Sequence, residues 1–226
     1  MSSVASRDYY SKRAGMFAEY VRRFVPYYDV MVDKIIGLLQ VEWPRRILDI
    51  GSGAGNIDLR ILDTVPVSRI DCVEASTEMV KVSMATIGRN IDRAEIIHKN
   101  VMDFNPEGRY DAILSNLVLH NLTKEQKAML LRMIRNWLVD GGLFIWGDLM
   151  KHESRDVSRM MALKRFRQAV RLGADKKMAE ETLEREAEQD YPLTEEEMTS
   201  MAEDAGFGSV FVAWKRGSFA ILAMRK

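Results

Sequence analysis

Three glycines follow a carboxylate in the segment ILDIGSGAGN, residues 47–56. Asp49 lies near the end of the apolar run, and Gly51, Gly53 and Gly55 come directly after it. Glycine lets a backbone adopt positive φ angles and approach a ligand closely. Because open α/β sheets bind ligands at the carboxyl ends of their strands, this segment predicts a ligand-binding turn between a first strand and a helix.

The acidic residues around this turn distinguish between two kinds of ligand. A dinucleotide site follows the pattern G-x-G-x-x-G, which binds pyrophosphate, but the sixth position here is Asn56. Asp49 precedes the turn and Asp58 lies in the first turn of the helix, so two carboxylates would repel a pyrophosphate. A ligand without phosphate that carries a cationic amine fits this charge better.

A further acidic position indicates another part of the ligand. Glu74 ends the second predicted strand, 23 positions after Gly51. A carboxylate at that place accepts hydrogen bonds from ribose hydroxyls in nucleoside cofactor sites. Several adenosine cofactors share this feature, so it predicts an adenosine and leaves the chemistry open.

The composition excludes several classes of protein. The chain has 226 residues with 33 basic and 33 acidic side chains, and this balance argues against a protein built mainly to neutralise phosphates. Cys72 is the only cysteine, which excludes an intrachain disulfide and a thiolate zinc site. The N-terminus has no apolar signal region and no stretch reaches transmembrane length, so we expect a cytoplasmic protein without membrane contact.

Short apolar runs alternate with helical patterns from residue 46 onward, which predicts parallel strands joined by crossover helices. The predicted strands cover residues 46–50, 69–75, 94–99, 110–116, 143–149, 210–214 and 219–224, and the helices between them cover 57–65, 77–89 and 124–140. The link between the last two strands is too short for a parallel crossover, so they must be antiparallel. The predicted fold is an α/β, Rossmann-like sheet of seven strands, mostly parallel with an antiparallel last strand, with helices on both faces and a helical lid.

Six motifs occur in an order that resembles the class I S-adenosylmethionine-dependent methyltransferases, from about residue 46 to the end. They are ILDIGSGAGN, VEASTEM, HKNVMDF, ILSNLVLHNL, LVDGGLFIWGD and EDAGF. The antiparallel final hairpin also matches that family and not the dinucleotide-binding dehydrogenases. The resemblance implies an enzyme that moves a methyl group by in-line displacement.

The resemblance also implies S-adenosylmethionine as the cofactor and assigns residues to its parts. It assigns the methionine portion to Asp49, Gly51, Ser52, Gly53 and Gly55, the ribose to Glu74 with Ala75, the adenine to Met79, Asn100 and Val101, and the sulfonium side to Ser115 and Asn116, with Leu117 at the border of the pocket. The family usually carries Asp where Asn100 stands, and an amide carbonyl can still accept from the adenine amino group. Met79 is also explained by plain helix packing.

Histidine is the residue type best suited to remove a proton from the acceptor, since its unperturbed pKa is about 6.5. His120 lies at the end of the fourth strand, and it is the predicted catalytic base. A structural histidine that bonds a loop carbonyl is the equal alternative. His98 is expected to be structural, while His152 could reach the acceptor pocket. The three histidines and the carboxylates show no metal-ligand spacing, so no metal is expected.

The chain is predicted to be one methyltransferase domain with four parts. These are an N-terminal helical lid (1–40), a cofactor-binding core (41–150), a helical insertion (151–192) and a final helix with a β-hairpin (193–226). The acceptor, expected to be a small molecule, would lie between the lid and the insertion. Residues predicted to contact it are Tyr10, Arg13, Tyr20, Leu117 and His152. Helix packing explains the aromatic residues of the lid equally well.

The insertion is electrically polarised. Residues 151–177 contain nine basic and three acidic side chains, whereas residues 178–204 contain one basic and eleven acidic side chains. The two halves are expected to pair with each other or with a second subunit, and pairing between subunits would give a homodimer through residues 151–192. Contact of the basic helix with RNA or an acidic substrate is the alternative, and the neutral overall charge disfavours it.

A narrower resemblance concerns the two ends of the chain. RRFVPYYDVMVDKII and AGFGSVFVAWKRGSFAILAMRK resemble the branch that contains the carboxy-S-adenosylmethionine synthases of tRNA modification. That branch binds an extra carboxylate through an arginine shortly before the AGF run, where this sequence has Met201. Ordinary methyl transfer is therefore the expectation. The alternatives are such a synthase, a tRNA or protein methyltransferase, and a non-catalytic cofactor-binding subunit.

Overall fold

A computed structural model describes residues 17–67 and 69–226. They form a seven-stranded sheet in the order β3-β2-β1-β4-β5-β7-β6. The strands are β1 (Arg46–Ile50), β2 (Arg69–Glu74), β3 (Ala94–His98), β4 (Tyr110–Asn116), β5 (Leu138–Leu149), β6 (Ser209–Arg216) and β7 (Phe219–Arg225). Strands β1 to β5 pair in parallel, and β7 runs antiparallel to both β5 and β6. The predicted fold class is confirmed.

Helices cover both faces of this sheet. They are α1 (Phe17–Phe24), α2 (Tyr28–Glu42), α3 (Asn56–Thr64), α4 (Thr77–Ile87), α5 (Lys124–Trp137), α6 (Arg155–Arg171), α7 (Lys176–Gln189) and α8 (Glu195–Asp204). Single turns of 3₁₀ helix cover Gly88–Asn90, Val101–Asp103 and Leu119–Asn121. Among the described helices, none is both long and apolar enough to cross a membrane.

Side-chain caps begin several of these helices. Thr123 opens α5 and Thr194 opens α8, each in a capping box with the third residue of its helix. Ser76 caps α4, because its hydroxyl accepts from the Met79 N–H at 3.2 Å. The helix starts at residue 77, as predicted, and ends at Ile87 instead of residue 89.

Strand β5 begins earlier than the sequence predicted. It starts at Leu138 instead of residue 143, and α5 ends at Trp137 instead of residue 140. Leu138 pairs with Tyr110, and the pairing then shifts register before it resumes at Leu143. Gly141 and Gly142 therefore lie within an irregular stretch of strand, where a bulge takes up the extra residues.

The alternation of side chains along β1 sets the two sides of the core. Ile47 packs with α2 and α3 on one face, whereas Leu48 and Ile50 pack with α5 and α8 on the other. Successive strand residues point to opposite faces, so Asp49 shares the α2–α3 face with Ile47. The carboxylate of Asp49 is thereby held between the sheet and those helices.

The helices of the N-terminal segment and the insertion pack together. Helix α1 contacts α6, and α6 contacts α7. The Arg23 guanidinium donates to the Gly173 carbonyl at 2.9 Å, which fastens α1 to the turn between α6 and α7. Within the polarised insertion and its continuation, Arg165 pairs with Glu186, and Lys151 pairs with Glu197 at 2.8 Å.

Candidate functional site

A cleft of about 1100 Å³, counting its open mouth, lies at the carboxyl ends of β1, β2 and β4. Strand β1 lies between β2 and β4, so the chain order reverses there and ligands of open α/β sheets bind at this point. The lining residues are Val21, Tyr28, Asp49–Gly53, Asn56, Ile57, Val73–Ser76, Met79, Lys99–Val101, Asn116–Val118, Asn121 and Leu122.

The glycine turn forms one wall of this cleft with bare backbone. Gly51, Gly53 and Gly55 all have positive φ, and that of Gly51 is +73°. A Cβ atom on Gly51 would lie 2.5 Å from Cγ2 of Val118, which also lines the cleft. Any side chain at position 51 would therefore clash with the opposite wall in a strained backbone conformation.

Glu74 joins the glycine turn to the end of β2. Its Oε2 accepts from the Gly53 N–H at 3.0 Å, and its Oε1 accepts from the Ser76 N–H at 2.7 Å. Burial raises the pKa of this carboxyl, although the backbone donors of Ser76 and Gly53 favour the charged form. The result is a fixed carboxylate at the cleft wall, positioned by two loops.

Three buried polar atoms of the lining have no hydrogen-bond partner within the described parts of the chain. They are Ser52 Oγ, Asn56 Nδ2 and Asn116 Oδ1. Native proteins satisfy nearly all buried polar groups with protein, water or ligand. Together the three atoms offer a donor and two acceptors to a polar ligand, which fits a nucleoside cofactor better than an apolar one.

The end of β4 is shaped around Asn116. A Cβ atom on Gly147 of β5 would lie 2.5 Å from Asn116 Oδ1, so only glycine leaves room for the amide. The next residue, Leu117, has φ of +60°, which is rare for leucine. Its N–H donates to the Gly147 carbonyl at 2.8 Å and holds this conformation. Backbone strain of this kind collects at binding sites.

Asp49 lies at the bottom of the cleft and is only 2% exposed. Burial raises the pKa of its carboxyl well above the usual range, and the neighbouring carboxyls of Asp58 and Glu74 raise it further. Because three acids meet here, the floor of the cleft attracts a cation and repels an anion.

The opposite end of the cleft is formed after β3. The Asn100 side-chain carbonyl accepts from the Met102 N–H at 3.0 Å and begins the turn Val101–Asp103. An amide oxygen has two lone pairs, so it retains one acceptor position. Lys99 also lines this end, and its side chain is exposed.

Most of the predicted cofactor residues meet in this cleft. The lining includes Asp49, Gly51, Ser52, Gly53, Glu74, Ala75, Met79, Asn100, Val101, Asn116 and Leu117. Gly55 lies behind it as the residue before α3. Ser115 also lies outside the lining, where its buried hydroxyl donates to the Ile50 carbonyl at 3.0 Å and joins β4 to β1.

The residues predicted to bind the acceptor are more scattered. Tyr10 and Arg13 lie outside the described residues. Tyr20 stacks on Phe24 with ring centres 4.4 Å apart, and its hydroxyl lies 3.2 Å from Thr182 Oγ1 in α7, away from the lining. His152 is exposed before α6, where its Nδ1 accepts from the Ser154 N–H at 3.1 Å.

His120 lies behind the cleft wall in a buried ionic cluster. Its Nδ1 lies 2.5 Å from Asp148 Oδ1, and its backbone N–H donates to Asp148 Oδ2 at 2.9 Å. Trp146 Nε1 donates to the same Oδ2 at 3.0 Å. Although burial opposes protonation, Asp148 and Asp190 outweigh it and raise the pKa of His120.

The insertion completes this ionic cluster. His120 Nε2 lies 3.2 Å from Asn121 Nδ2 and 3.9 Å from Asp190 Oδ2. Arg185 of α7 donates to both Asp190 oxygens, at 2.9 and 3.2 Å, and to Asn121 Oδ1 at 3.2 Å. Asn121 is the member of the cluster that lines the cleft. Helix α7 is therefore connected to the cleft through the hydrogen bond from Arg185 to the Asn121 amide.

Sequence reasoning missed several lining residues. Among them are Val21 and Tyr28, which α1 and α2 bring to the β4 end, and Asn121. Asn56 was visible as the sixth position of the glycine pattern, but it was read only as a departure from a dinucleotide site. For Tyr28 the sequence offered only an aromatic pair, Tyr27 and Tyr28, at the start of α2. The position of Tyr28 at the cleft depends on how α2 packs, which the sequence does not show.

The sheet order, the reversed β7 and the cleft at β1 define the fold of class I methyltransferases. Residues 28–171 match the family described as "Methyltransferase small domain", and the chain belongs to that family. This membership confirms the predicted class, an S-adenosylmethionine-dependent methyltransferase, and with it the predicted cofactor.

Known proteins resemble the chain over different lengths. The malonyl-(acyl-carrier protein) O-methyltransferase of Geobacter sulfurreducens is 32% identical over 127 residues, which cover 52% of this chain and 45% of that protein. The carboxy-S-adenosyl-L-methionine synthase of Campylobacter concisus is 26% identical over 219 residues, which cover 91% of this chain and 88% of that protein. The chain thus spans less than half of the first relative and most of the second.

A solved structure resembles the whole fold. Magnesium protoporphyrin IX methyltransferase from Synechocystis PCC 6803, with bound SAH, superposes with a TM-score of 0.68 at 14% identity. The match covers 100% of both chains. At this identity the likeness concerns the fold and leaves the acceptor open.

Proposed function

We propose that this protein transfers the methyl group of S-adenosylmethionine to a small-molecule acceptor. One observation carries the proposal: the unsatisfied polar atoms of Ser52, Asn56 and Asn116 surround a cleft of bare glycine backbone with acids at its floor and wall. A zwitterionic tail joined to an adenosine matches that set of groups. A diphosphate would meet the carboxyls of Asp49 and Glu74.

The residues of the cleft divide the binding between them. The Glu74 carboxylate would accept from the ribose hydroxyls, and Asp49 would attract the amine of the methionine portion. Asn100 would accept from the adenine amino group. The bound cofactor supplies an electrophilic methyl on a sulfonium. The chain supplies alignment, which contributes roughly 7–11 kcal/mol to such displacements.

The β4 end of the cleft carries several apolar side chains beside the amides of Asn116 and Asn121, and it would receive the acceptor. Val21 and Leu122 are buried there, and Leu117 and Val118 complete the surface. Burial raises the pKa of the neighbouring Tyr28 hydroxyl to about 12. A phenol of that pKa stays protonated at neutral pH and is a poor base. The favoured acceptor is therefore a small, largely apolar molecule whose nucleophile needs no deprotonation before attack.

For His120 we propose a structural role in place of catalysis. A general base must be unprotonated and within reach of the acceptor. His120 is 5% exposed and lies outside the lining, and Asp148 and Asp190 raise its pKa. Its contacts favour a structural histidine, although the ring bonds the Asp148 carboxylate and not the loop carbonyl that the sequence suggested.

Production of a carboxylated cofactor is the second candidate function. The synthase from Campylobacter concisus matches 91% of the chain, which favours it. An added carboxylate on the sulfonium side would need a cation. Among the described lining residues Lys99 is the one cation, and it lies at the β3 end. Met201 is buried in α8 away from the cleft. The residues of the cleft therefore match methyl transfer better than production of a carboxylated cofactor.

Calorimetry with unmodified cofactors tests the cofactor part of this proposal. We expect S-adenosylmethionine and S-adenosylhomocysteine to bind in a one-to-one ratio and NADH to give no heat. Heat from NADH alone would contradict the proposal. Native mass spectrometry of the purified protein addresses the second candidate, since a carboxylated cofactor is heavier than S-adenosylmethionine by one carbon dioxide.

Transfer of a labelled methyl group tests the acceptor class. We expect label from S-adenosylmethionine to appear in the small-molecule fraction of a metabolite extract. Label that appears only in tRNA or in protein would contradict a small-molecule acceptor. A separate measurement, size-exclusion chromatography with light scattering, tests the homodimer that we propose through residues 151–192.

A further inference from the structure

Asn121 lies in the single turn after β4, and hydrogen bonds on both sides fix the direction of its amide. Its Nδ2 donates to the Val118 carbonyl at 2.9 Å and lies 3.2 Å from His120 Nε2. Its Oδ1 accepts from Arg185 Nη1 at 3.2 Å. Exchange of the oxygen and the nitrogen would set the amide NH2 against the guanidinium and the oxygen against the carbonyl. These contacts therefore assign the orientation of the amide.

This orientation leaves one lone pair of the Asn121 amide available to a ligand. The two hydrogens of its NH2 group have neighbours in Val118 and His120. An amide oxygen has two lone pairs, of which Arg185 uses one. Asn121 is 8% exposed and lines the cleft at its β4 end, where the acceptor would lie. The wall at this end can therefore accept a hydrogen bond from a bound molecule through Asn121 Oδ1.

The described part of the lining has no base at the same end. Its titratable side chains are Tyr28, Asp49, Glu74 and Lys99. Asp49 and Glu74 lie on β1 and β2, where the proposed function puts the cofactor, and Lys99 follows β3. Burial raises the pKa of Tyr28 to about 12, so the phenol stays protonated. A hydroxyl acceptor would need a base before it attacks, whereas a neutral amine already has a lone pair.

We propose that the acceptor is a neutral aromatic amine and that Asn121 Oδ1 accepts a hydrogen bond from its N–H group. An aliphatic amine is disfavoured, since an ammonium with a pKa of about 10 has no lone pair at neutral pH. The aromatic body would pack on Val21, Leu117 and Leu122. Arg185 lies outside the lining and is a positioning residue, because it holds the oxygen of Asn121. The inference rests on the proposed function, since it assumes that S-adenosylmethionine occupies the cleft.

Methyl transfer to such an amine needs no base in the cleft. The acceptor nitrogen uses its lone pair to form the bond to the methyl carbon, while the carbon–sulfur bond breaks and leaves its electron pair on a neutral thioether. The nitrogen becomes an ammonium, which then loses one proton to water at the open mouth of the cleft. Positive charge develops on the nitrogen in the transition state, so its N–H becomes a stronger donor. The hydrogen bond to Asn121 Oδ1 therefore strengthens as the reaction proceeds, which lowers the barrier.

Transfer of a carbon-13 methyl group tests the class of acceptor. The protein is incubated with S-adenosylmethionine labelled in its methyl group and with a metabolite extract, and NMR of the products identifies the atom that carries the label. We expect the methyl on a nitrogen attached to an aromatic ring. A methyl on oxygen, sulfur, carbon or an aliphatic nitrogen of a small molecule would overturn the inference and leave the proposed function intact. Absence of any labelled small molecule would contradict the proposed function itself.

A matched pair of variants tests the contact with Asn121. Asn121→Leu keeps the size of the side chain but cannot accept a hydrogen bond, so the rate of transfer to the amine found in that extract should fall about tenfold or more. Affinity for S-adenosylhomocysteine, measured by calorimetry, should stay within about threefold. Asn105→Leu is the control, since Asn105 is exposed and lies outside the lining, and it should match the wild type in both measurements. Equal transfer rates in the two variants would overturn the contact.

Arg185→Lys tests the positioning role. A lysine can still pair with Asp190, but its single ammonium lacks the fork that holds Asp190 and Asn121 together. Because the bond to the acceptor strengthens in the transition state, we expect kcat to fall about threefold or more with little change in KM. A loss carried only by KM or by cofactor affinity would show a merely structural arginine. If the variants do not fold, the position of the labelled methyl in the wild-type product still decides the inference.

Discussion

The cleft and the ionic cluster behind it are both rich in polar side chains, yet they differ in how those side chains are satisfied. In the cleft, Ser52, Asn56 and Asn116 each leave a buried polar atom without a partner among the described residues. In the cluster, by contrast, both oxygens of the Asp148 carboxylate accept hydrogen bonds and both nitrogens of the His120 ring have neighbours. Polar groups that satisfy one another stabilise a fold, while unsatisfied ones indicate a ligand.

The two regions share a wall. Asn121 is held by Arg185 and the His120 ring on one side and lines the cleft on the other. The hydrogen bonds of the cluster therefore hold the loop after β4 in its conformation. Residues of that loop form part of the cleft lining. Substitutions in the cluster should act mainly on stability, and substitutions in the cleft mainly on ligand affinity.

The largest effect should come from His120→Ala. It would leave the buried carboxylate of Asp148 without its ring partner, and removing one partner of a buried pair costs about 3–5 kcal/mol. Urea unfolding measures the loss, and the exposed His152→Ala is the control, with a change within about 0.5 kcal/mol. Lost turnover with unchanged stability and unchanged cofactor affinity would break the comparison and restore His120 as a catalytic base.

Glu74→Ala should give the next largest effect. This effect should be on the affinity for the cofactor and not mainly on the free energy of unfolding. It removes a charged acceptor for the ribose, which contributes about 1.5–3 kcal/mol, or roughly 10- to 150-fold in the dissociation constant. Calorimetry with S-adenosylhomocysteine measures it. Glu95→Ala, an exposed acid on β3 that lies outside the lining, is the control and should bind as the wild type does. Equal affinity in the two variants would remove Glu74 from the site.

Gly51→Ala tests the cleft against a control glycine, Gly173, which lies outside it. Gly51 and Gly173 have φ of +73° and +84°, so both alanine variants carry similar backbone strain of about 1–3 kcal/mol. Only the Cβ at position 51 meets Val118, at 2.5 Å, whereas position 173 has open space. We expect a further loss of about tenfold or more in affinity for S-adenosylhomocysteine at position 51 alone. Equal binding by both variants would show that the turn does not touch the ligand.

The smallest effect should be a pH dependence of stability from the cluster. Because the folded-state pKa of His120 is raised above its unfolded value, its contribution is fully present below about pH 6.5 and is lost as pH rises through the folded value. Urea unfolding of the wild type and of His120→Gln between pH 6 and 8.5 measures the difference, which should shrink toward the alkaline end. A difference that grows with pH would contradict a raised pKa for His120.

Much of the fold and part of the site could be predicted because their signals are local. The apolar runs and glycine turns predicted the positions of the strands, and the motifs predicted Asp49, Glu74 and Asn100 as residues of the cofactor site. Ser115 and His120 could not be classified, since the direction of their side chains depends on neighbours distant in sequence, namely Ile50 and Asp148. The early start of β5 was hidden for a similar reason, because pairing with β4 outweighed the glycines there.

A crystal structure of the protein with S-adenosylhomocysteine tests the central claim most directly. The ribose hydroxyls should bond to the Glu74 carboxylate, the amine should lie beside Asp49, and the polar atoms of Ser52, Asn56 and Asn116 should gain bonds to the ligand or to ordered water. A ligand seated elsewhere, with those three atoms still unbonded, would contradict the claim that this cleft is built for the cofactor.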